Sequence, residues 1–278
     1  MVVTADEAQG ARAAAETPAP DWDRLISAAA SQTRPSVVAQ QHIRPLQGGS
    51  RAQLIKCDDG ALYSVKFRNN PHGDGRSLFT EQVVGLLGKL IGAPVPDVRP
   101  VSVTAELLAA VQIDIGGGAV EAGLHHGSCW ADGFSDRLDF LRYPDRNRVE
   151  FAALRLLYSW LLCTGDHQVI YRNSEPHDVL SVDHGLFLPG SHNWSLQTLR
   201  GHRDVLQLDP MFDTLNLADD EHQPALDRLA LVSCEAIADV AAAPPAEWGI
   251  SQEERVGFAD YVSRRKMELI AHFGRSGT

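Results

Sequence analysis

The chain has 278 residues, of which 44% are hydrophobic and 22% are charged, so its composition excludes a collagen-like, coiled-coil or wholly disordered protein. Its 36 acidic and 25 basic side chains give a net charge of −11, which argues against general nucleic-acid binding because phosphate contacts need clustered cations. No segment approaches the ~18 to 20 consecutive apolar residues of a membrane-spanning helix, so no membrane partner is expected.

The first half of the chain predicts a small antiparallel sheet with one helix. Residues 1–20 are rich in Ala, Glu, Thr and Pro without a periodic apolar face, which predicts a disordered leader, and a short helix is expected over Asp21–Ala30. Strand-like runs and one stretch with apolar residues at helical spacing follow. The predicted order is three strands, a helix and two strands: Val37–Leu46, Ala52–Cys57, Ala61–Phe67, Leu78–Ile91, Val98–Val103 and Glu106–Ile113.

The second half predicts a mainly helical unit. The Gly-rich stretch Gly116–Gly127 predicts a flexible connection, and Val149–Cys163 predicts a strong helix. The remaining predicted elements are two short ones, Gly165–Arg172 and Val179–Leu188, and a helical scaffold at Asp209–Asp213, Pro224–Ala242 and Gln252–Phe273. We therefore expect a bilobal α+β protein with a leader at 1–20, a sheet-containing N-lobe at 21–115 and a helical C-lobe at 116–278.

Gly48, Gly49 and Ser50 lie in the turn between the first two predicted strands. Glycines let the backbone approach phosphate oxygens, and Ser50 and the loop amides can donate hydrogen bonds to them. A plain hairpin turn explains the same residues equally well.

Lys66 and Glu81 are candidate partners on neighbouring elements. Lys66 stands between Val65 and Phe67 on the third strand, so its side chain points away from both, into a cleft or toward solvent. Glu81 follows on the helix expected to pack against the same sheet, where its carboxylate can hold the ammonium for nucleotide phosphates. The alternative is an acidic residue that complements the helix dipole.

Asp166 and Asp183 form a second candidate pair. Asp166 directly follows the predicted helix that ends at Cys163, and Asp183 ends a short apolar strand. A hairpin between them brings both within reach of one cleft, and phosphoryl transfer uses such carboxylates beside the acceptor oxygen and on Mg²⁺. A shared site and two separate surface acids both remain open on this evidence.

In chain order, these features resemble the HipA-like kinase family, which has a protein-kinase-like fold. The resemblance covers roughly residues 37–273, and the stretches that carry it are Gln47–Ser50, Tyr63–Phe67, Asn69–Pro71, Gly123–Ser128, Ser181–Gly185 with Phe187, and Pro245–Trp248. It implies an ATP- and Mg²⁺-dependent kinase that transfers the γ-phosphoryl group to a hydroxyl of an unknown protein or small-molecule acceptor. A cytoplasmic location is expected from the four widely spaced cysteines, which form no CxxC motif.

The resemblance also implies residue roles. The loop of Gly48, Gly49 and Ser50 would cover the ATP phosphates. Lys66 would contact those phosphates, braced by Glu81. Asp166 matches the aspartate that orients the acceptor hydroxyl, and Asp183 matches the metal-binding aspartate of an Asp-Phe-Gly motif, written here Asp-His-Gly.

The sequence departs from the kinase pattern at the second metal ligand. Tyr171 stands five residues after Asp166, where such kinases usually place a metal-binding Asn, and Gly165 replaces the Arg that often precedes the aspartate. Gln168 is the nearby residue that can supply a metal oxygen. A degraded kinase that acts as a nucleotide-binding or scaffold module is therefore the alternative, and adenylyl transfer is a third reading.

The remaining motifs favour structural or peripheral roles. The cluster of His125, His126 and Cys129 lacks the fourth ligand of a structural zinc site, so zinc is not expected. Its stretch His125–Ser128 and the loop Leu188–Leu199 are expected on the acceptor side. Arg264–Lys266 is predicted to lie on a solvated helix face. The four widely spaced cysteines are predicted to be reduced thiols.

Overall fold

The computed structural model of the chain describes residues 19–32, 35–70, 74–135, 141–163, 168–204 and 206–276. Most of the predicted leader and the predicted catalytic Asp166 lie outside these ranges. The strands are β1 (Val37–Pro45), β2 (Gln53–Cys57), β3 (Leu62–Lys66), β4 (Val98–Val103), β5 (Gly123–Cys129), β6 (Gln168–Tyr171) and β7 (Val179–Val182). The α-helices are α1 (Trp22–Ala30), α2 (Gly75–Ile91), α3 (Ala105–Ala110), α4 (Arg148–Leu161), α5 (Leu196–His202), α6 (Asp219–Leu231), α7 (Cys234–Ala242) and α8 (Gln252–Ser276).

Five strands form one closed sheet in the order β1-β2-β3-β5-β4. All neighbours are antiparallel except β1 and β4, which pair in parallel where Val37 faces Val101. The expectation of a purely antiparallel sheet is therefore corrected. The register of β1 against β2 shifts at two places, and such irregularities bend a strand. The bent β1 is thus shared between β2 and β4.

Two predicted elements differ from the structure. The segment Glu106–Ile113 is not a strand, since residues from Ala105 form α3, and the Thr104 hydroxyl caps this helix by accepting the amide of Leu107 at 3.3 Å. The predicted connection Gly116–Gly127 ends in strand β5, which pairs with both β3 and β4 and closes the sheet. The division of the chain at residues 115 and 116 stays a prediction.

The buried apolar residues form two clusters. The smaller cluster fills the closed sheet and includes Ile55, Val65 and Val101. The larger cluster joins α2 to the helices of the second half, with members such as Phe79 and Phe258. Helix α2 is therefore fixed against the helical part while it also lies beside the sheet.

Helix α8 holds the C-terminal end of α4. The Arg265 guanidinium donates to the carbonyls of Trp160, at 2.7 Å, and of Ser159, and the Tyr261 hydroxyl donates to the Leu161 carbonyl at 2.8 Å. The last carbonyls of a helix have no partner within it, so these donors satisfy the end of α4. Arg265 is only 1% exposed, which corrects the expected solvated face, while Arg264 beside it stays half-exposed.

No helix in the described ranges combines the length and apolarity needed to cross a bilayer. All four cysteines lie in the described ranges, and none of them forms a disulfide. Burial raises the pKa of Cys57 to about 12, so this thiol is inert at neutral pH.

Candidate active site

A cleft of about 540 Å³ opens where the closed sheet meets α2 and the turn after β7. Of the eight site residues predicted from the sequence, Asp166 lies outside the described residues and the other seven line this cleft. These seven are Gly48, Gly49, Ser50, Lys66, Glu81, Gln168 and Asp183. The structure thus brings together residues that are up to 135 positions apart in the chain.

Lys66 is the charged centre of the cleft. Its ammonium donates to Oε1 of Glu81 and to Oδ1 of Asp183. The Lys66 side chain is 15% exposed, that of Glu81 is 5% exposed, and that of Asp183 is 41% exposed. Burial disfavours the charged amine, but the carboxylates of Glu81 and Asp183 outweigh this effect and raise the pKa of Lys66. The lysine is therefore a permanent cation inside the cleft.

Glu81 connects the lysine to the turn after β7. Burial is the largest single influence and would raise the pKa of Glu81, but the charge and hydrogen bond of Lys66, together with the interactions with His184, outweigh burial and lower the pKa. Its second oxygen, Oε2, accepts the backbone amide of His184 at 3.0 Å. Glu81 is the seventh residue of α2, beyond the first turn where a helix dipole acts, so the dipole alternative does not explain it.

The Asp183-His184-Gly185 turn is tightly fitted. Asp183 has φ of +61°, a left-handed backbone conformation that residues other than glycine rarely adopt. A Cβ at Gly185 would lie 3.2 Å from Oε1 of Glu81, closer than most real Cβ contacts, which explains the glycine. The His184 ring is buried and its Nε2 lies 2.9 Å from Oγ of Ser181. The sequence assigned no role to His184, because the acceptor of its backbone amide, Glu81, lies 103 positions away in the chain.

The glycine-containing loop is tied to the end of β3. Gly48 has φ of +132°, which favours glycine. The buried Asn70 side chain donates to the Ser50 carbonyl and so holds this loop against the segment that follows β3. Arg51 also lines the cleft and forms an ion pair with Asp114 at 3.1 Å. The role of Asn70 was missed, although its place four residues after β3 in a polar Asn-Asn pair was a usable signal.

Strand β6 separates the two candidate metal positions. Gln168, at its start, lines the cleft, whereas Tyr171, at its end, is buried and its hydroxyl accepts the Arg142 amide at 2.6 Å. Tyr171 is therefore part of the packing. Among the described residues, no group of three or more His, Cys, Asp or Glu side chains is arranged to hold a metal ion.

His125 and His126 are internal to the fold. Both are almost fully buried in β5; His125 accepts the Arg68 amide at 3.1 Å, and His126 Nδ1 lies 3.0 Å from the Gln82 side-chain oxygen. The expectation that they lie on the acceptor side is therefore wrong. Both ring nitrogens of His125 have hydrogen-bond partners, whereas Nε2 of His126 has none among the described residues.

The C-terminal motif Pro245–Trp248 also has a structural place. The Trp248 indole donates to the Leu124 carbonyl at 2.8 Å, and the Glu247 carboxylate accepts the Leu124 amide at 2.5 Å. The motif therefore packs against the beginning of β5, the strand that closes the sheet.

Comparisons with known proteins reveal similarity to kinases in sequence and in fold. Residues 39–160, which are less than half of the chain, match the family model described as HipA-like kinase. A solved structure, the proinflammatory kinase CtkA of Helicobacter pylori, has a similar fold, with a TM-score of 0.51 at 11% identity over 86% of this chain and 97% of that one. No curated protein matches the sequence. The match of residues 39–160 confirms the resemblance to HipA-like kinases predicted from the sequence, and the solved structure shows that the fold is similar to that of a kinase.

Proposed function

We propose that the protein is an ATP-dependent phosphotransferase that moves the γ-phosphoryl group to a hydroxyl of a protein or small-molecule acceptor. One observation carries the proposal: the Lys66 ammonium is held by Glu81 and Asp183 inside a cleft that the Gly48–Ser50 loop also lines. A fixed cation beside loop amides suits a polyphosphate chain. The family match of residues 39–160 supports the same activity.

The residues of the cleft suit the separate parts of ATP binding. Lys66 would hold phosphate oxygens, and Glu81 keeps its ammonium in place. The amides of Gly49 and Ser50 would donate to the same phosphates. Because Lys66 is largely withdrawn from water, its attraction to a bound phosphate is stronger than at an exposed surface.

The cleft also offers oxygen ligands for Mg²⁺. Asp183 supplies a carboxylate and Gln168 an amide oxygen, and proteins usually bind Mg²⁺ through one or two carboxylates together with substrate phosphates. Bound with ATP, the ion neutralises charge on the transferring phosphoryl group. In this proposal Asp183 exchanges part of its contact with Lys66 for the metal.

The phosphoryl transfer is a displacement at phosphorus, in which one P–O bond breaks and another forms. The bond from the γ-phosphorus to the bridging oxygen breaks, a bond to the acceptor oxygen forms, and ADP leaves. The acceptor hydroxyl loses its proton to Asp166, the role that the family resemblance implies for this residue.

The test follows the terminal phosphate of γ-labelled ATP with Mg²⁺, in the wild type and in Asp166→Asn. We expect the wild type to transfer the label to water or to added hydroxyl acceptors. Loss of a general base lowers such rates by about 10²- to 10⁴-fold, so Asp166→Asn is expected to lose turnover and keep its ATP affinity. Turnover of Asp166→Asn at the wild-type rate would contradict the assigned role.

A catalytically degraded kinase is the second candidate, and the placement of Tyr171 favours it. Because the Tyr171 hydroxyl is engaged within the fold, the usual second metal ligand is missing at that position. This candidate predicts ATP binding without turnover. A single-turnover experiment with enzyme in excess over ATP separates the two, since even one slow transfer per molecule produces measurable ADP.

A further inference from the structure

A buried chain of three side chains runs from α4 to the Asp183 turn. The Tyr158 hydroxyl lies 2.5 Å from Oγ of Ser181, which lies 2.9 Å from Nε2 of His184. Tyr158 and Ser181 are fully buried and His184 is 2% exposed. The three residues belong to α4, to β7 and to the turn that follows β7, so the chain crosses between elements.

Aromatic packing fixes the same side chains. The Phe187 ring contacts Tyr158 edge to face, with 4.7 Å between centroids, and His184 in the same manner at 4.9 Å. The backbone amide of Ser181 donates to the Pro94 carbonyl at 2.8 Å, which anchors β7 from the other side. Each member of the chain is thus confined to one orientation.

The turn is consequently held from two directions. From α2, the Glu81 carboxylate accepts the backbone amide of His184. From α4, the Tyr158 hydroxyl reaches the His184 ring through Ser181. Both contacts hold His184, and the residue directly before it is Asp183, whose left-handed backbone conformation is rare in an unconstrained chain.

We infer that Tyr158, Ser181 and His184 are positioning residues that hold Asp183 ready for Mg²⁺-ATP. The inference rests on the proposed function and adds residues that do not touch the nucleotide. Partners behind a metal ligand commonly set its orientation and the metal affinity.

Two hydrogen bonds link the three side chains. The Tyr158 hydroxyl and Ser181 Oγ form one, and Ser181 Oγ and His184 Nε2 form the other. Burial raises the pKa of Tyr158, so its hydroxyl keeps its proton at pH 7. Removing one hydroxyl breaks the whole chain.

The test compares Ser181→Ala with Ser159→Ala, the same change at another buried serine. The Ser159 hydroxyl accepts the Asp209 amide at 2.9 Å and takes no part in the chain, so this variant controls for loss of a buried hydroxyl. ATP binding is measured by calorimetry over a range of Mg²⁺ concentrations, with thermal unfolding recorded for each variant. We expect Ser181→Ala to need about 10-fold more Mg²⁺ for half-maximal binding, and Ser159→Ala to match the wild type.

Tyr158→Phe provides the second variant, because it removes only the hydroxyl and keeps the ring that packs on Phe187. It should raise the Mg²⁺ requirement as Ser181→Ala does, and the double variant should add little, since either change breaks the chain. If both single variants show the Mg²⁺ dependence of Ser159→Ala, the inference is overturned while the kinase proposal stands. A wild type without Mg²⁺-dependent ATP binding would overturn the proposed function itself.

Discussion

At the scale of single residues, the cleft depends on one lysine shared by two carboxylates. Glu81 is nearly buried, so its negative charge relies on Lys66 for compensation, whereas Asp183 also reaches solvent. The two ion pairs therefore differ in kind. The pair with Glu81 is part of the folded core, and the pair with Asp183 is open to exchange with a ligand.

Replacement of Lys66 tests this difference. In Lys66→Met the Glu81 carboxylate loses its counter-charge, and breaking a buried pair in this way destabilises by about 3 to 5 kcal/mol. We expect that loss in the free energy of unfolding from urea denaturation at pH 7. Lys56, on β2, is exposed, and Lys56→Met is expected to change the unfolding free energy by less than about 0.5 kcal/mol. Equal stability of the two variants would show that Lys66 does not compensate Glu81.

At the scale of elements, the glycine-containing loop is positioned by the segment after β3. Asn70→Ala removes the donor to the Ser50 carbonyl, a buried hydrogen bond worth about 1 to 1.5 kcal/mol, so ATP affinity is expected to fall by up to about tenfold. Asn69→Ala is the matched control, because the Asn69 amide donates to the Ala119 carbonyl at 2.7 Å instead. The readout is the dissociation constant of ATP, and an equal effect of both variants would argue against the loop anchor.

The buried histidines of β5 and of the Asp183 turn give stability a pH dependence. Burial lowers the pKa of His125 and of His184 to about 4, from an ordinary 6.5. As pH falls below 6.5 the unfolded chain binds these protons first, so stability is lost progressively until about pH 4. Each pKa unit corresponds to about 1.4 kcal/mol, so a loss of several kcal/mol is expected.

Chemical denaturation between pH 8 and pH 4 measures this loss. The exposed His192 supplies the control, and His192→Gln is expected to keep the wild-type slope. Glu81 has a lowered pKa and adds a loss of the same sign below its ordinary value of 4.5. A stability profile that stays flat from pH 6.5 to pH 4.5 would contradict the account of the two histidines.

The sequence predicted the elements with clear periodicity and missed those set by tertiary contacts. Helix α4 and strand β3 follow from their apolar spacing. The run Glu106–Ile113 is apolar enough for a strand, and only the Thr104 cap marks the helix that forms there. Strand β5 lacks an alternating pattern because the polar His125 and His126 are both buried there, each with at least one hydrogen bond to its ring.

The same contrast applies to the candidate site. The positions of Lys66 and Glu81 on a strand and the following helix made them candidate partners, and the structure places their side chains in contact. The chain from Tyr158 through Ser181 to His184 was not predictable, since it depends on how α4 packs against β7. Sequence order carries no information on that packing.

At the scale of the whole molecule, α8 supports the end of α4. In Arg265→Met, buried carbonyls of Ser159 and Trp160 lose the guanidinium as a donor, and we expect a loss of about 2 to 4 kcal/mol in unfolding free energy. Arg264→Met is the control, since the half-exposed Arg264 forms only solvent-accessible ion pairs, with Asp204 and Asp260. Equal destabilisation of both variants would remove this role from Arg265.

The central claim is that the cleft around Lys66 and Asp183 binds ATP with Mg²⁺. Calorimetric titration of the protein with ATP, with and without Mg²⁺ and repeated on Asp183→Ala, tests it most directly. The account predicts binding that Mg²⁺ strengthens and that loses its Mg²⁺ dependence in the variant. Absence of binding in both conditions, or an unchanged Mg²⁺ dependence in Asp183→Ala, would contradict it.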